Sequence, residues 1–317
     1  MSLAFVFPGQ GSQSVGMLAA LAAAEPVVRE TFAEASAVLG CDLWALCQEG
    51  PDSELASTER TQPAMLAAGV ATWRAWRQRG GPGPSAMAGH SLGEYTALVC
   101  AGSVDFRDAI DLVRFRGQIM QQAVPFGTGA MAAILGLDDE QVVAACRDAE
   151  QGEVVEAVNF NAPGQVVIAG HATAVARAIE VAKSRGAKRA VPLPVSVPSH
   201  SRLMLGAAAR LAERLATVEL RMPDVPAVYT VGVTTHTSPD GMRRALAAQL
   251  HEPVRWAATV RALLAGGTTT IVECGPGKVL TALNRRIERR PDLAMLAVED
   301  PDSLKAALAA CAEKHHA

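Results

Sequence analysis

"AMAGHSLGEYTAL", residues 86–98, contains Gly89-His90-Ser91-Leu92-Gly93, a fit to G-x-S-x-G. An apolar run, "SAMAGH" (85–90), leads into it, and helical text, "SLGEYTALVCAG" (91–102), leads away from it to Gly102. That order is a strand, a tight turn and a helix, with a serine hydroxyl presented at the turn. The turn forces strained backbone angles on Ser91, so small glycines are expected on both sides. Free N–H groups at the helix start favour a developing negative charge beside that hydroxyl. A helix start merely capped by serine would use the same letters. Ser91 is therefore a candidate nucleophile, and the pattern is silent on whether its acyl group goes to water or to another molecule.

Working outward, the first half alternates short apolar runs with helical text, as a largely parallel α/β sheet requires. "LAFVF" (3–7) is a strand. A helix is expected over 106–123, with Phe106, Ile110, Val113, Gly117 and Met120 on one face. After "VPFGTG" (124–129) the pattern changes. Strands are expected at 130–137, 154–160, 165–170 and 188–195, and helices at 138–149 and 172–186, with a hairpin turn at Asn161-Ala162-Pro163-Gly164. The order β-α-β-β-α-β is the split βαβ, or ferredoxin-like, unit. It occupies 128–198 and interrupts a core made of 1–127 and 199–317. The strand "TTIVEC" (269–274), a Gly275-Pro276-Gly277 turn and a helix from Lys278 complete that core.

The bulk numbers remove several classes of function. The chain has 317 residues, half of them apolar, yet no stretch is long and uncharged enough to span a bilayer. "MSLAFVFPGQG" lacks a basic start and a cleavage site, so it reads as a buried strand and the expected location is the cytoplasm. A net charge of −3 argues against nucleic acid as a partner. Six cysteines without a C-x-x-C pair suggest neither a disulfide framework nor a metal site. Gly9 and Gly11 begin a G-x-G-x-x-G, but Ser14 stands where the third glycine belongs, so a dinucleotide loop is not expected.

A serine nucleophile needs a base. Of seven histidines, His315 and His316 fall in the terminal tail, His90 sits inside the turn and points away, and His171 opens a helix it could simply cap. His236 and His251 carry no such signal. His200, in "VSVPSHSRLM", lies where the inserted unit rejoins the core, a frequent place for a cleft.

"FPGQGSQ" (7–13), "GHSLGEY" (89–95), "VNFNAPGQVVIAG" (158–170), "PVSVPSH" (194–200) and "GPGKVL" (275–280) occur together and in order. In this the chain resembles the malonyl-CoA:acyl carrier protein transacylases, in particular the stand-alone bacterial type of fatty acid synthesis. The resemblance runs over essentially the whole sequence. It implies an α/β-hydrolase-like core with a parallel sheet and an inserted ferredoxin-like subdomain, with the active site between them. It implies Ser91 as nucleophile and His200 as base, without an acidic third member. It further implies the backbone carbonyl of Gln249 as the group that orients His200, and the backbone N–H groups of Gln10 and Leu92 as the oxyanion hole. The implied partners are malonyl-CoA and acyl carrier protein, with coenzyme A thioester as substrate, no cofactor and no metal.

A malonyl group ends in a carboxylate, which a buried guanidinium binds with two parallel hydrogen bonds. The helix at 106–123 offers Arg114 and Arg116, and periodicity alone does not choose between them. The family's arginine precedes a glycine, which selects Arg116 and leaves Arg114 as a solvated edge. Asn161 matches a polar position of the family's pocket, and Ser199 a position that varies with extender unit in related modular synthases. "VYTVGV" (228–233) departs from the family's "VNNVDV", so only a backbone contact is expected from Tyr229 and Thr230. Carrier proteins are typically acidic. Arg285, Arg286, Arg289 and Arg290, or Lys183, Arg185, Lys188 and Arg189, are candidate docking clusters, and equally ordinary solvated helix faces. The rival functions are a serine hydrolase or thioesterase with the same turn, and a carrier-protein-binding module with a dead site.

Overall fold

Leu3–Phe7 forms β1, the middle strand of a five-stranded parallel sheet. The structure, a computed structural model, describes residues 2–195 and 197–313, so the tail histidines His315 and His316 lie outside it. β1 is flanked by β2 (Ala86–Gly89) and β8 (Thr270–Cys274), with β7 (Ala227–Val228) and β9 (Ala294–Val298) at the edges. "LAFVF" is apolar throughout because helices cover both faces of the sheet. Leu3, Phe5 and Phe7 enter one core layer, while Ala4 and Val6 enter the other with Trp256 and Val260. Phe5 meets the edges of Trp73 and Trp76, at 5.0 and 5.2 Å, both on the helix Thr58–Gln78.

The second sheet has the order β4-β5-β3-β6 and is antiparallel at every pairing. Its strands are β3 (Gly129–Leu135), β4 (Val155–Ala162), β5 (Gln165–His171) and β6 (Arg189–Pro192). Two helices, Asp139–Ala149 and Ala172–Ser184, bury one face of it through Ile134, Cys146, Ile168 and Ile179. This is the ferredoxin-like arrangement, and with the parallel core it gives the α/β fold class expected. β6 is shorter than the run 188–195, because Pro192 and Pro194 cannot donate to a ladder. The hairpin turn is also tighter than expected. β4 continues through Asn161 to Ala162, and only Pro163 and Gly164 (φ 70°) turn the chain.

The other face of this sheet, with Met131, Val158, Leu193 and Val195, looks toward the core. Val254, in one core cluster with Ala4 and Val6 of β1, ties β4 to the core: it donates from its N–H to Val158 O (2.8 Å) and accepts from Phe160 N (2.9 Å). A cleft is thus fixed at the C-terminal ends of β1 and β2, a usual place for a site in a parallel sheet. Among the described residues, no helix is long and apolar enough to cross a membrane.

Candidate active site

Ser91 follows β2 with φ 53°, in the left-handed region, at a cost of roughly 1–2 kcal/mol for a side-chain-bearing residue. The turn survives because three glycines let backbones touch. A Cβ on Gly89 would lie 1.9 Å from Gly93 C, and one on Gly93 would lie 2.0 Å from Phe7 O. A Cβ on Gly9 would stand 2.4 Å from His90 O, so the loop after β1 can lie directly on the turn. This brings Gln10 and Leu92 to the same cavity as Ser91. The backbone N–H groups of Gln10 and Leu92 meet no acceptor among the described residues.

His200 also has positive φ, 65°, and is 3% exposed. Its N–H donates to Leu250 O (2.9 Å), and its Nδ1 lies 2.7 Å from the backbone carbonyl of Gln249. A carbonyl can only accept, so Nδ1 carries the proton and Nε2 keeps its lone pair. Burial, then the nearby Arg116 charge, lower the imidazole from its ordinary 6.5 to about 3. It is a neutral proton acceptor at physiological pH.

Arg116 sits on the helix Phe106–Gln121 and is 1% exposed. It reaches the cavity because Gly117 rides against the start of the helix Thr58–Gln78: a Cβ there would lie 2.7 Å from Thr58 O. Arg116 Nη1 donates to Gln62 Oε1 (2.8 Å), and Nη2 to Gln249 Oε1 (2.9 Å) and Ser91 Oγ (3.2 Å). Its Nε is buried without a partner among the described residues, and the guanidinium lies over the Tyr95 ring at 5.3 Å. Burial pulls its pKa down while Tyr95 and Glu94 hold it up. Arg114, by contrast, is partly exposed and tied to Asp111 at 2.5 Å. The choice that periodicity left open is thereby made by position.

Ser91 Oγ is held by Arg116 and, among the described residues, makes no hydrogen bond to His200. Both nevertheless line one cavity of about 370 Å³, between the two sheets. Ser199 lines it as well. Asn161 does not: it is 8% exposed and its Oδ1 lies 2.9 Å from His90 Nε2, behind the cavity wall. Strand alternation would put Asn159 and Asn161 on one face; the irregularity of the β4–β5 register between Phe160 and Ala162 separates them, and it is Asn159 that lines the cavity. His171 heads its helix, yet its Nδ1 accepts from Val154 N (2.9 Å) rather than capping.

Sequence reasoning passed over Gln62, Asn159 and Glu94. Glu94 was visible as one acid inside "SLGEYTALVCAG", three residues after the serine. It is 3% exposed and accepts from Thr230 N (2.5 Å), Thr230 Oγ1 (2.6 Å) and Gln249 Nε2 (2.5 Å). Position 230 therefore makes a side-chain contact as well as a backbone one. Among the described residues no group of three His, Cys, Asp or Glu side chains is placed to hold a metal ion.

The model of the acyl transferase domain matches residues 4–301. The chain belongs to the acyl transferase family. Within that family it is 58% identical over 305 residues to the malonyl CoA-acyl carrier protein transacylase of Escherichia coli K12, covering 96% of this chain and 98% of that one. It is 43% identical over 314 residues to the Bacillus subtilis protein of the same name, covering 99% and 98%. A crystal structure of an acyl carrier protein S-malonyltransferase from Vibrio cholerae superposes with a TM-score of 0.93 at 58% identity, over 97% of this chain and all of that one. A malonyl-transacylase solved in complex with a type II polyketide acyl carrier protein gives 0.96 at 55% identity, over 98% and 100%.

Proposed function

We propose that this acyltransferase moves a malonyl group from malonyl-CoA to the phosphopantetheine thiol of acyl carrier protein, through a malonyl ester on Ser91, and so supplies fatty acid synthesis in the cytoplasm. One observation carries the reading. A guanidinium that is 1% exposed stands 3.2 Å from Ser91 Oγ, and among the described residues no carboxylate bonds to it. A buried cation without an anionic partner is costly, and a substrate carboxylate supplies that partner.

Counting hydrogens sets the order of events. Arg116 uses one Nη1 hydrogen on Gln62, and both Nη2 hydrogens on Gln249 and Ser91. A malonyl carboxylate takes the second Nη1 hydrogen and the Nη2 hydrogen now on Ser91, as a two-pronged pair. That releases Ser91 Oγ to His200 Nε2. The Oγ–C bond forms as His200 takes the serine proton. The N–H groups of Gln10 and Leu92 hold the oxyanion. The C–S bond then breaks, and His200 returns the proton to the coenzyme A thiol. The carrier thiol runs the same steps in reverse. In this reading Gln249 O keeps His200 in the required tautomer, and Ser199 borders the acyl group.

For docking, the two basic clusters converge. Lys188 and Arg189 from one and Arg286 from the other line a single groove beside the Pro163-Gly164 turn. Lys183, Arg185 and Arg290 are engaged with Glu180, Asp148 and Asp292, so the groove is the better candidate for an acidic carrier protein. We take residues 128–198 as the inserted subdomain and 1–127 with 199–317 as the core.

Intact mass after exposure to malonyl-CoA tests the reading. A malonyl adduct on Ser91 that moves to added carrier protein is expected. Absence of any adduct overturns an enzymatic role, and release of free malonate alone supports the hydrolase.

A further inference from the structure

Glu94 stands on the first turn of the helix Gly93–Cys100, and no step of the transfer uses it. Its Oε1 is taken by the two Thr230 donors and its Oε2 by Gln249 Nε2. Gln249, 0% exposed, in turn touches each part of the site. Its backbone carbonyl accepts from His200, its Oε1 accepts from Arg116 Nη2, and its Nε2 also donates to Ser91 O (3.0 Å).

The side-chain amide of Gln249 has two ends and two dissimilar neighbours. A carboxylate only accepts and a guanidinium only donates. With the amide NH2 on Glu94, the carbonyl end is left for Arg116. The flipped amide would set NH2 against guanidinium and C=O against carboxylate, two repulsive contacts in a site where such errors are expensive. When ionised, Glu94 also places a negative charge near Arg116 without pairing with it, so one Nη1 hydrogen and the Nη2 hydrogen on Ser91 remain for a substrate carboxylate.

We propose that Glu94 is a positioning residue for the arginine clamp: through the Gln249 amide it holds Arg116 facing the acyl site, and so sets the preference for acyl groups that end in a carboxylate. The inference rests on the proposed malonyl transfer. A purely structural Glu94, holding the Thr230 segment to its helix, would slow every acyl group alike when replaced.

The test is the ratio of kcat/KM for malonyl-CoA to that for acetyl-CoA, measured on the full chain with carrier protein. Wild type, Glu94→Gln, Gln249→Leu and the double variant are compared, with thermal melts alongside. Glu94→Gln is expected to lower the ratio by at least about tenfold, and Gln249→Leu to lower it comparably. The double variant is expected to fall no further than the worse single one, since both changes break one chain of contacts. A ratio unchanged in Glu94→Gln, or losses that multiply, overturns the inference. Should Glu94→Gln not fold, Gln249→Leu decides alone: a wild-type ratio there is the contradicting result. Wild type that transfers no malonyl group refutes the proposed function instead, so the two failures are distinct.

Discussion

Arg116 is buried beside Ser91 and bonded to two glutamine carbonyls rather than to an acid. Replacing it by alanine removes both prongs of the proposed carboxylate contact. Malonyl transfer is expected to fall at least about a hundredfold in kcat/KM, while acetyl transfer falls far less or rises. Parallel steady-state assays with the two thioesters check this. His200 and Glu94 are linked to pH in opposite senses. His200 drops from 6.5 to about 3, so the unfolded state binds more protons below pH 6.5, and stability is lost as pH falls through that window. Glu94 is pushed by burial from 4.5 to about 7, so the folded state holds the extra proton between them, and stability is lost as pH rises. Between pH 4.5 and 6.5 the two slopes, each at most about 1.4 kcal/mol per pH unit, oppose one another. Denaturant unfolding of Glu94→Gln should therefore weaken more steeply with acid across that range than wild type. Parallel curves would show that Glu94 does not titrate there.

At the scale of elements, the site depends on how closely chains approach. Gly117→Ala drives a methyl into the backbone at Thr58 and Glu59, and is expected to cost about 1–3 kcal/mol. Because the helix that carries Arg116 must then back away, malonyl kcat/KM should fall more than the acetyl value. Equal losses would mean the shift does not reach the clamp. The sequence announced these elements well. Unbroken apolarity in "LAFVF", period-2 and period-3.6 patterns and punctuating glycines mark local structure directly. Helical spacing could not separate Arg114 from Arg116, because that choice is made by the neighbouring helix Thr58–Gln78. Asn161 and Asn159 show the same limit. A slip in β4 decides which asparagine faces the cavity, and only the partner strand and Val254 fix it. Glu94, Gln62 and the Gln249 side chain act through residues between 54 and 155 positions away, where no local pattern reports.

For the whole molecule, the parallel core supplies Ser91 and Arg116 while the antiparallel sheet closes the cavity with Met131, Asn159 and Leu193. The division of labour extends to the surface. The basic groove joins Lys188 and Arg189 of the antiparallel unit to Arg286 of the core. Reversal to Arg189→Glu with Arg286→Glu is expected to raise KM for carrier protein about tenfold or more at low salt and leave KM for malonyl-CoA near wild type. Unchanged carrier-protein kinetics would remove the groove as the docking face. The central claim is that Ser91 hands its acyl group to a thiol, and one single-turnover experiment tests it most directly. Protein loaded with malonyl-CoA and freed of excess is mixed with carrier protein or with buffer, and the malonyl group is followed by mass. Rapid appearance of malonyl-carrier protein, with a long-lived ester in buffer, is the expected result. Free malonate released at the same rate in both mixtures would contradict it.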